Sequence, residues 1–91
     1  MWYTYVLQSL KDEKFYIGST EDLEARINKH NTGQNISTKH RIPFVLVYRE
    51  IYDTKEEAVR REFKIKSYKG GVAFKRLISR AGTQVVNEGR L

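Results

Sequence analysis

Trp2-Tyr3-Thr4-Tyr5-Val6-Leu7-Gln8 and, after a polar break, Phe15-Tyr16-Ile17-Gly18 are the two stretches on which the fold turns. Both are rich in aromatic and β-branched residues, the types that fit a pleated, half-buried surface. The polar residues Ser9 to Lys14 form the turn between them, so the pair reads as an antiparallel hairpin. Ser19 and Thr20 can then cap a helix, with Glu21 and Asp22 in a first turn that favours negative charge. Leu23, Ile27 and His30 share one face of that helix, which should end near Asn31-Thr32-Gly33.

Beyond it, residues 32–43 are polar and end in the only proline, Pro43; long loops of this kind are often functional. Phe44-Val45-Leu46-Val47-Tyr48 is a nearly continuous apolar run and the best candidate for a central strand. Thr54-Lys55-Glu56-Glu57 has the capping-box pattern and opens a helix to about Ser67. Gly70-Gly71 breaks the chain, and Val72 to Ser79 reads as a last short helix. The order β-β-α-β-α-α predicts an α+β domain over residues 1–80, with helices flanking a small three-stranded sheet and a tail at 81–91.

Composition narrows what such a domain can do. A chain of 91 residues has room for one core and no second catalytic domain. With no cysteine there is no disulfide, thiolate zinc site or catalytic thiol. No apolar run approaches a membrane span. The first residues lack a basic segment followed by an apolar one, so no signal peptide is expected and a cytoplasmic protein is. The net charge of +6 is unevenly spread: residues 1–40 balance, and the whole excess lies in residues 41–91. Between 60 and 80 the basic residues Arg60, Arg61, Lys64, Lys66, Lys69, Lys75, Arg76 and Arg80 face Glu62 alone, a footprint suited to a polyanion. A solvated basic helix face is the plainer reading of the same run.

Three features resist a purely structural account. Glu62 falls in the middle of a helix face made by Ala58, Val59, Phe63 and Ile65, with Arg60, Arg61 and Lys64 opposite. A carboxylate turned toward a core is costly unless paired or bound to a cation, so it is either an inward salt bridge or a metal ligand. Arg26 and His30, at i and i+4, flank Leu23 and Ile27 and should lean along the sheet. Tyr5 and Tyr16 lie on the two strands of the hairpin; each is a packing residue or, beside cations, a proton acceptor. No nucleophile elbow, phosphate-binding glycine loop or His-Glu-x-x-His is present.

Tyr3-Thr4-Tyr5, then Tyr16-Ile17-Gly18, then Arg26, His30 and Glu62 form an ordered set that resembles the GIY-YIG nuclease superfamily, more closely its small single-domain bacterial members. The resemblance runs from Trp2 to about Ile78. The first motif reads Tyr-Thr-Tyr in place of Gly-Ile-Tyr, and Val72-Ala73-Phe74 stands where many relatives carry an asparagine. The resemblance implies a three-stranded antiparallel sheet flanked by helices and a metal-dependent endonuclease that hydrolyses phosphodiester bonds. Tyr5 or Tyr16 would be the general base, with Tyr5 slightly ahead; Arg26 would steady the phosphate, His30 would assist, and Glu62 would bind one Mg2+ or Mn2+. The expected substrate is DNA before RNA, cut in a structure-selective or weakly specific way, as in DNA repair, by a monomer or weak homodimer without a membrane. Lys39, Arg41, Lys64, Lys66 and Lys69 would hold the nucleic-acid backbone. The alternative is a catalytically weak nucleic-acid-binding module of the same fold.

Overall fold

The hairpin is the centre of the molecule. In the computed structural model, which describes residues 1–79, β1 (Trp2–Ser9) pairs antiparallel with β2 (Phe15–Thr20), placing Tyr5 opposite Gly18 and Val6 opposite Ile17. Then come α1 (Leu23–Asn31), a single 3-10 turn at Lys39–Arg41, β3 (Phe44–Tyr52), α2 (Lys55–Lys66) and α3 over residues 72–79. The order is the expected β-β-α-β-α-α, and the fold is the expected three-stranded antiparallel sheet with helices on it. The tail at 81–91, with Arg80, lies outside the described residues.

Strand order corrects one expectation. The sheet runs β2-β1-β3, so the apolar run at Phe44–Tyr48 lies in an edge strand and β1 is central. A continuous apolar run signals burial on both faces only when neighbours cover both. On β3, Val45 and Ile51 remain 39% and 49% exposed, whereas Thr4 to Leu7 on β1 are sealed from solvent.

Alternation along the strands sends side chains to two cores. On one face Tyr5, Leu7, Leu23 and Phe44 pack under α1, joined by Tyr16 and Ile27. On the other, Val6, Ile65 and Phe74 pack under α2 and α3, joined by Ile17 and Val47. One tie of α2 to the sheet is a fully buried hydrogen bond, Thr4 Oγ1 donating to the Ala58 carbonyl at 2.8 Å. A side chain larger than alanine there would hold the helix off.

The helix starts separate local signals by strength. Thr54 forms the expected capping box with Glu57. At α1 the cap is Asp22, whose carboxylate accepts from the Ala25 N–H at 3.0 Å, while Ser19 and Thr20 complete β2. The face of α2 differs as well. Ala58 and Ile65 are buried, but Phe63 turns outward at 62% exposure. Arg61, expected on the solvent side, reaches back to β3: Nε and Nη2 donate to the two carboxylate oxygens of Glu50 at 2.9 and 3.1 Å.

Candidate active site

Gly18 decides where the site forms. A Cβ there would lie 2.6 Å from the Tyr5 hydroxyl and 2.8 Å from Cζ, so the missing side chain is the space through which the Tyr5 ring extends across β2. Tyr16, two residues before it on the same face, has its ring 6.4 Å from that of Tyr5. One residue after Gly18 the chain turns Ser19 to the opposite face, where its hydroxyl donates to Glu62 Oε1 at 2.7 Å. Groups therefore reach this edge strand from both faces of the sheet, a phenol crossing at Gly18 and a carboxylate anchored at Ser19.

The helix α1 supplies the rest. His30 is fully buried, more deeply than a residue leaning along the sheet would be, with its ring 4.7 Å from Tyr16, 5.6 Å from Phe44 and 6.5 Å from Tyr5. Nδ1 is hydrogen-bonded to Thr38 Oγ1 at 2.9 Å, and Nε2 has no hydrogen-bond partner among the described residues. Burial lowers the affinity of the ring for a proton, and the nearby charges of Arg26 and Lys29 lower it further. Arg26, half-buried one turn earlier, also acts on Tyr5. Burial pushes the Tyr5 phenol well above its ordinary value; Tyr16 and Glu62 push the same way and Arg26 opposes them. Three of the other four residues singled out by sequence, Tyr16, Arg26 and Glu62, thus act on Tyr5, and the fourth, His30, meets its ring edge-on.

Glu62 itself is 15% exposed at the side chain, with Ser19 on one oxygen and Lys66 Nζ 2.6 Å from the other. Of the two readings open to the sequence, the salt bridge is present, with Lys66 as its cation. A partly exposed carboxylate whose second oxygen is held only by a half-exposed lysine is also a group that can exchange an ammonium for a divalent ion. Among the described residues no three His, Asp or Glu side chains gather into a cation cage.

The cationic residues do not form one patch. Lys66 is on Glu62. Arg41 is committed to the fold: Nε donates to Asp12 Oδ2 at 2.9 Å, and its guanidinium lies 5.3 Å from the centre of the Phe44 ring. Lys39 is exposed on the 3-10 turn, and Lys64 and Lys69 are exposed at the C-terminal end of α2 and just past it. The loop carrying Lys39 is held rather than loose. Asn31 pairs in both directions with the Phe44 backbone, Nδ2 donating to the carbonyl at 3.0 Å and Oδ1 accepting from the N–H at 2.6 Å.

Two residues of the site escaped the sequence reading, Ser19 and Thr38. Period-2 alternation continued one residue past Gly18 would have put Ser19 on the α2 face; nothing local marks Thr38 as the partner of a histidine eight residues away.

Residues 1–72 match the GIY-YIG catalytic domain. The chain is 48% identical over 67 residues to a UPF0213 protein of Staphylococcus saprophyticus and 46% identical over 67 residues to one of Staphylococcus haemolyticus. Each of those alignments covers 72% of this chain and 80% of the relative. A solution NMR structure of a UPF0213 protein from Bacillus halodurans is 37% identical, covers 81% of this chain and 92% of its own, and superposes with a TM-score of 0.43. With the matched domain spanning the hairpin, α1, β3 and α2, the chain belongs to the GIY-YIG family.

Proposed function

We propose that the chain is a divalent-cation-dependent endonuclease that hydrolyses phosphodiester bonds in DNA, structure-selective or weakly specific. One observation carries the reading: Tyr5, Tyr16, Arg26, His30 and Glu62, scattered over 58 positions of sequence, have their functional groups around one short stretch of edge strand. A packing role explains each tyrosine singly, but not a guanidinium and a carboxylate that both act on the Tyr5 phenol.

The donor set fits magnesium or manganese better than zinc. A single partly exposed carboxylate suits a hard cation that keeps most of its water and takes phosphate oxygen as a further ligand. When bound at Glu62, such an ion supplies Lewis-acid polarisation of the phosphate and neutralises charge on the leaving oxygen. The remaining work falls to the side chains. Arg26 offsets the negative charge that grows on the phosphate as water attacks phosphorus. Tyr16, half-buried beside His30, accepts the proton of that water in its phenolate form as the P–O bond to the leaving oxygen breaks, and the leaving oxygen takes its proton from solvent. Although sequence put Tyr5 slightly ahead, burial holds its proton tightly, which supports Tyr5 as a hydroxyl donor and Tyr16 as the base. His30 sets the Tyr16 ring by packing against it. Lys39, Lys64, Lys66 and Lys69 hold the backbone of the substrate with little sequence readout, while Arg41 contributes mainly through Asp12.

DNA is the proposed partner before RNA, the active species is a monomer or weak homodimer, and repair in the cytoplasm is the matching setting. No helix among the described residues is long and apolar enough to cross a membrane. The catalytic unit is residues 1–80. The competing reading, a binding module with little turnover, draws on the Glu62–Lys66 pair, which neutralises the carboxylate without any metal.

The test is cleavage of end-labelled duplex, single-stranded and branched DNA, with matching RNA, in magnesium, manganese or chelator. Wild type runs beside Glu62→Ala, with the folding of both checked by circular dichroism. Metal-dependent cutting that vanishes in the variant, with binding retained, is the expected result. Binding without cutting in every metal and on every substrate would instead identify the binding module.

A further inference from the structure

Glu62 is held by two partners of different character. Ser19 Oγ, on the sheet, fixes Oε1 at 2.7 Å. Lys66 Nζ holds Oε2 at 2.6 Å from the last residue of α2, on a side chain 47% exposed against 15% for Glu62. A hydroxyl on a strand has few rotamers and moves with the sheet. An ammonium at the end of four methylenes, half in water, leaves its carboxylate at small cost, because solvent replaces what it loses. The arrangement thus has one permanent anchor and one removable cation on the same carboxylate.

Resting on the metal-dependent reading above, we propose that Lys66 is a built-in counter-cation of Glu62, which a divalent cation must displace, and that Ser19 is the positioning residue that keeps the carboxylate aimed throughout. Without metal, Lys66 neutralises a carboxylate that would otherwise repel the phosphate backbone. With metal, the ammonium and the incoming ion compete for one oxygen and repel each other. Once displaced, Lys66 joins Lys64 and Lys69 at the end of α2, where it faces polyanion. Metal occupancy and backbone affinity are thereby linked through one side chain.

The effect is on metal affinity in the absence of nucleic acid, so it is read without cleavage. Mn2+ alone is titrated into the full chain and free Mn2+ is followed by electron paramagnetic resonance. Lys66→Met, which keeps the stem and removes the charge, is expected to tighten binding about two- to fivefold, the range of an exposed ion pair. Lys66→Arg, which keeps the charge, should stay near wild type. Ser19→Ala should weaken binding by about tenfold or more, as loss of a group that orients a metal ligand does. Glu62→Gln is the control that separates the two levels of inference. If Mn2+ binding depends on Glu62 but Lys66→Met leaves it unchanged or weaker, the counter-cation is refuted and the metal reading stands. If Glu62→Gln has no effect, or neither wild type nor Lys66→Met binds Mn2+, the metal reading itself fails and takes this inference with it. Thermal melts of each variant, without metal, establish that the compared proteins are folded.

Discussion

The hydroxyl of Tyr5 occupies the space where Gly18 has no side chain. That relationship gives the Tyr-Ile-Gly stretch a physical reason. Tyr16 supplies a second phenol on the same face, Ile17 packs into the opposite core, and Gly18 lets a ring from the central strand pass over the edge strand. Ser19, next in line, then meets the carboxylate from the far side. Four consecutive residues of β2 thus serve, in turn, a phenol, a core, a gap and an anchor.

Gly18→Ala should destabilise the fold and displace Tyr5 together. The added carbon would meet the hydroxyl at 2.6 Å and Cζ at 2.8 Å, and Tyr5, only 1% exposed, has nowhere to retreat. Overpacking of this kind costs about 1–3 kcal/mol. Tyr5→Phe removes the nearer of the two atoms, so the penalty of Gly18→Ala should be smaller in that background. Thermal melts of the four proteins of this cycle measure the coupling; strict additivity would mean that the two residues do not share this space.

Tyr16→Phe should depress cleavage more than Tyr5→Phe does. Loss of a general base lowers rate by about 10²–10⁴-fold. Loss of a neutral hydroxyl that only donates a hydrogen bond should stay within about tenfold. Single-turnover rates on one branched substrate, at saturating manganese, make the comparison. The reverse order would return the base role to Tyr5, despite the burial that holds its proton.

Signals that act within one turn of chain were readable in the sequence, and those that depend on a distant partner were not. The Thr54–Glu57 capping box, the Gly70-Gly71 break and the alternation of the hairpin are local, and each marks a real element. Ser19 and Thr20 show the limit, since hydroxyl residues suit a helix cap and the end of a strand equally; the stronger cap of Asp22 decides between them. The position of Phe44–Tyr48 in the sheet depends on which strand β1 pairs with next, which hydropathy does not encode. At the site, Tyr5, Tyr16, Arg26, His30 and Glu62 were singled out together through the resemblance of their ordered set to a known family. Ser19 is 43 positions from Glu62, and Arg61 finds Glu50 across the α2–β3 packing, so only the tertiary structure joins them.

Stability should fall as pH drops through the range where histidine ordinarily protonates. His30 is held neutral by burial, with Arg26 and Lys29 adding to the effect, so its folded value lies below the ordinary 6.5. The unfolded chain then binds more protons than the folded one as pH falls below that value. Stability is full above it and is lost on the way down toward the folded value. Melting temperatures recorded between about pH 7.5 and 5 should decline in wild type and decline less in His30→Gln. Glu50, held below the usual carboxylate range, loses its contribution only in more acidic solution, which leaves this window to the imidazole. Equal slopes in the two proteins would remove His30 as the cause.

Glu50 is the fastening of α2 to β3. Burial works to raise its value, but hydrogen bonds from Arg61, Tyr48 and Tyr52 outweigh burial and hold it ionised. The same contacts, after burial, push the Tyr48 and Tyr52 phenols up to about 12. Glu50→Ala strands a guanidinium and two hydroxyls, and should cost about 2–3 kcal/mol. Replacing the pair together, Glu50→Leu with Arg61→Leu, leaves no unmatched charge and should recover much of that loss. Alkaline titration of phenolate absorbance gives a second reading. Both phenols have folded values above the ordinary 10.0, so they stabilise the fold below that value and cease to do so as pH rises toward 12. In Glu50→Ala their titration should move down toward 10.0 in the still-folded protein. A titration that does not move, with stability lost all the same, would assign the fastening to packing of the two rings and take it away from the carboxylate.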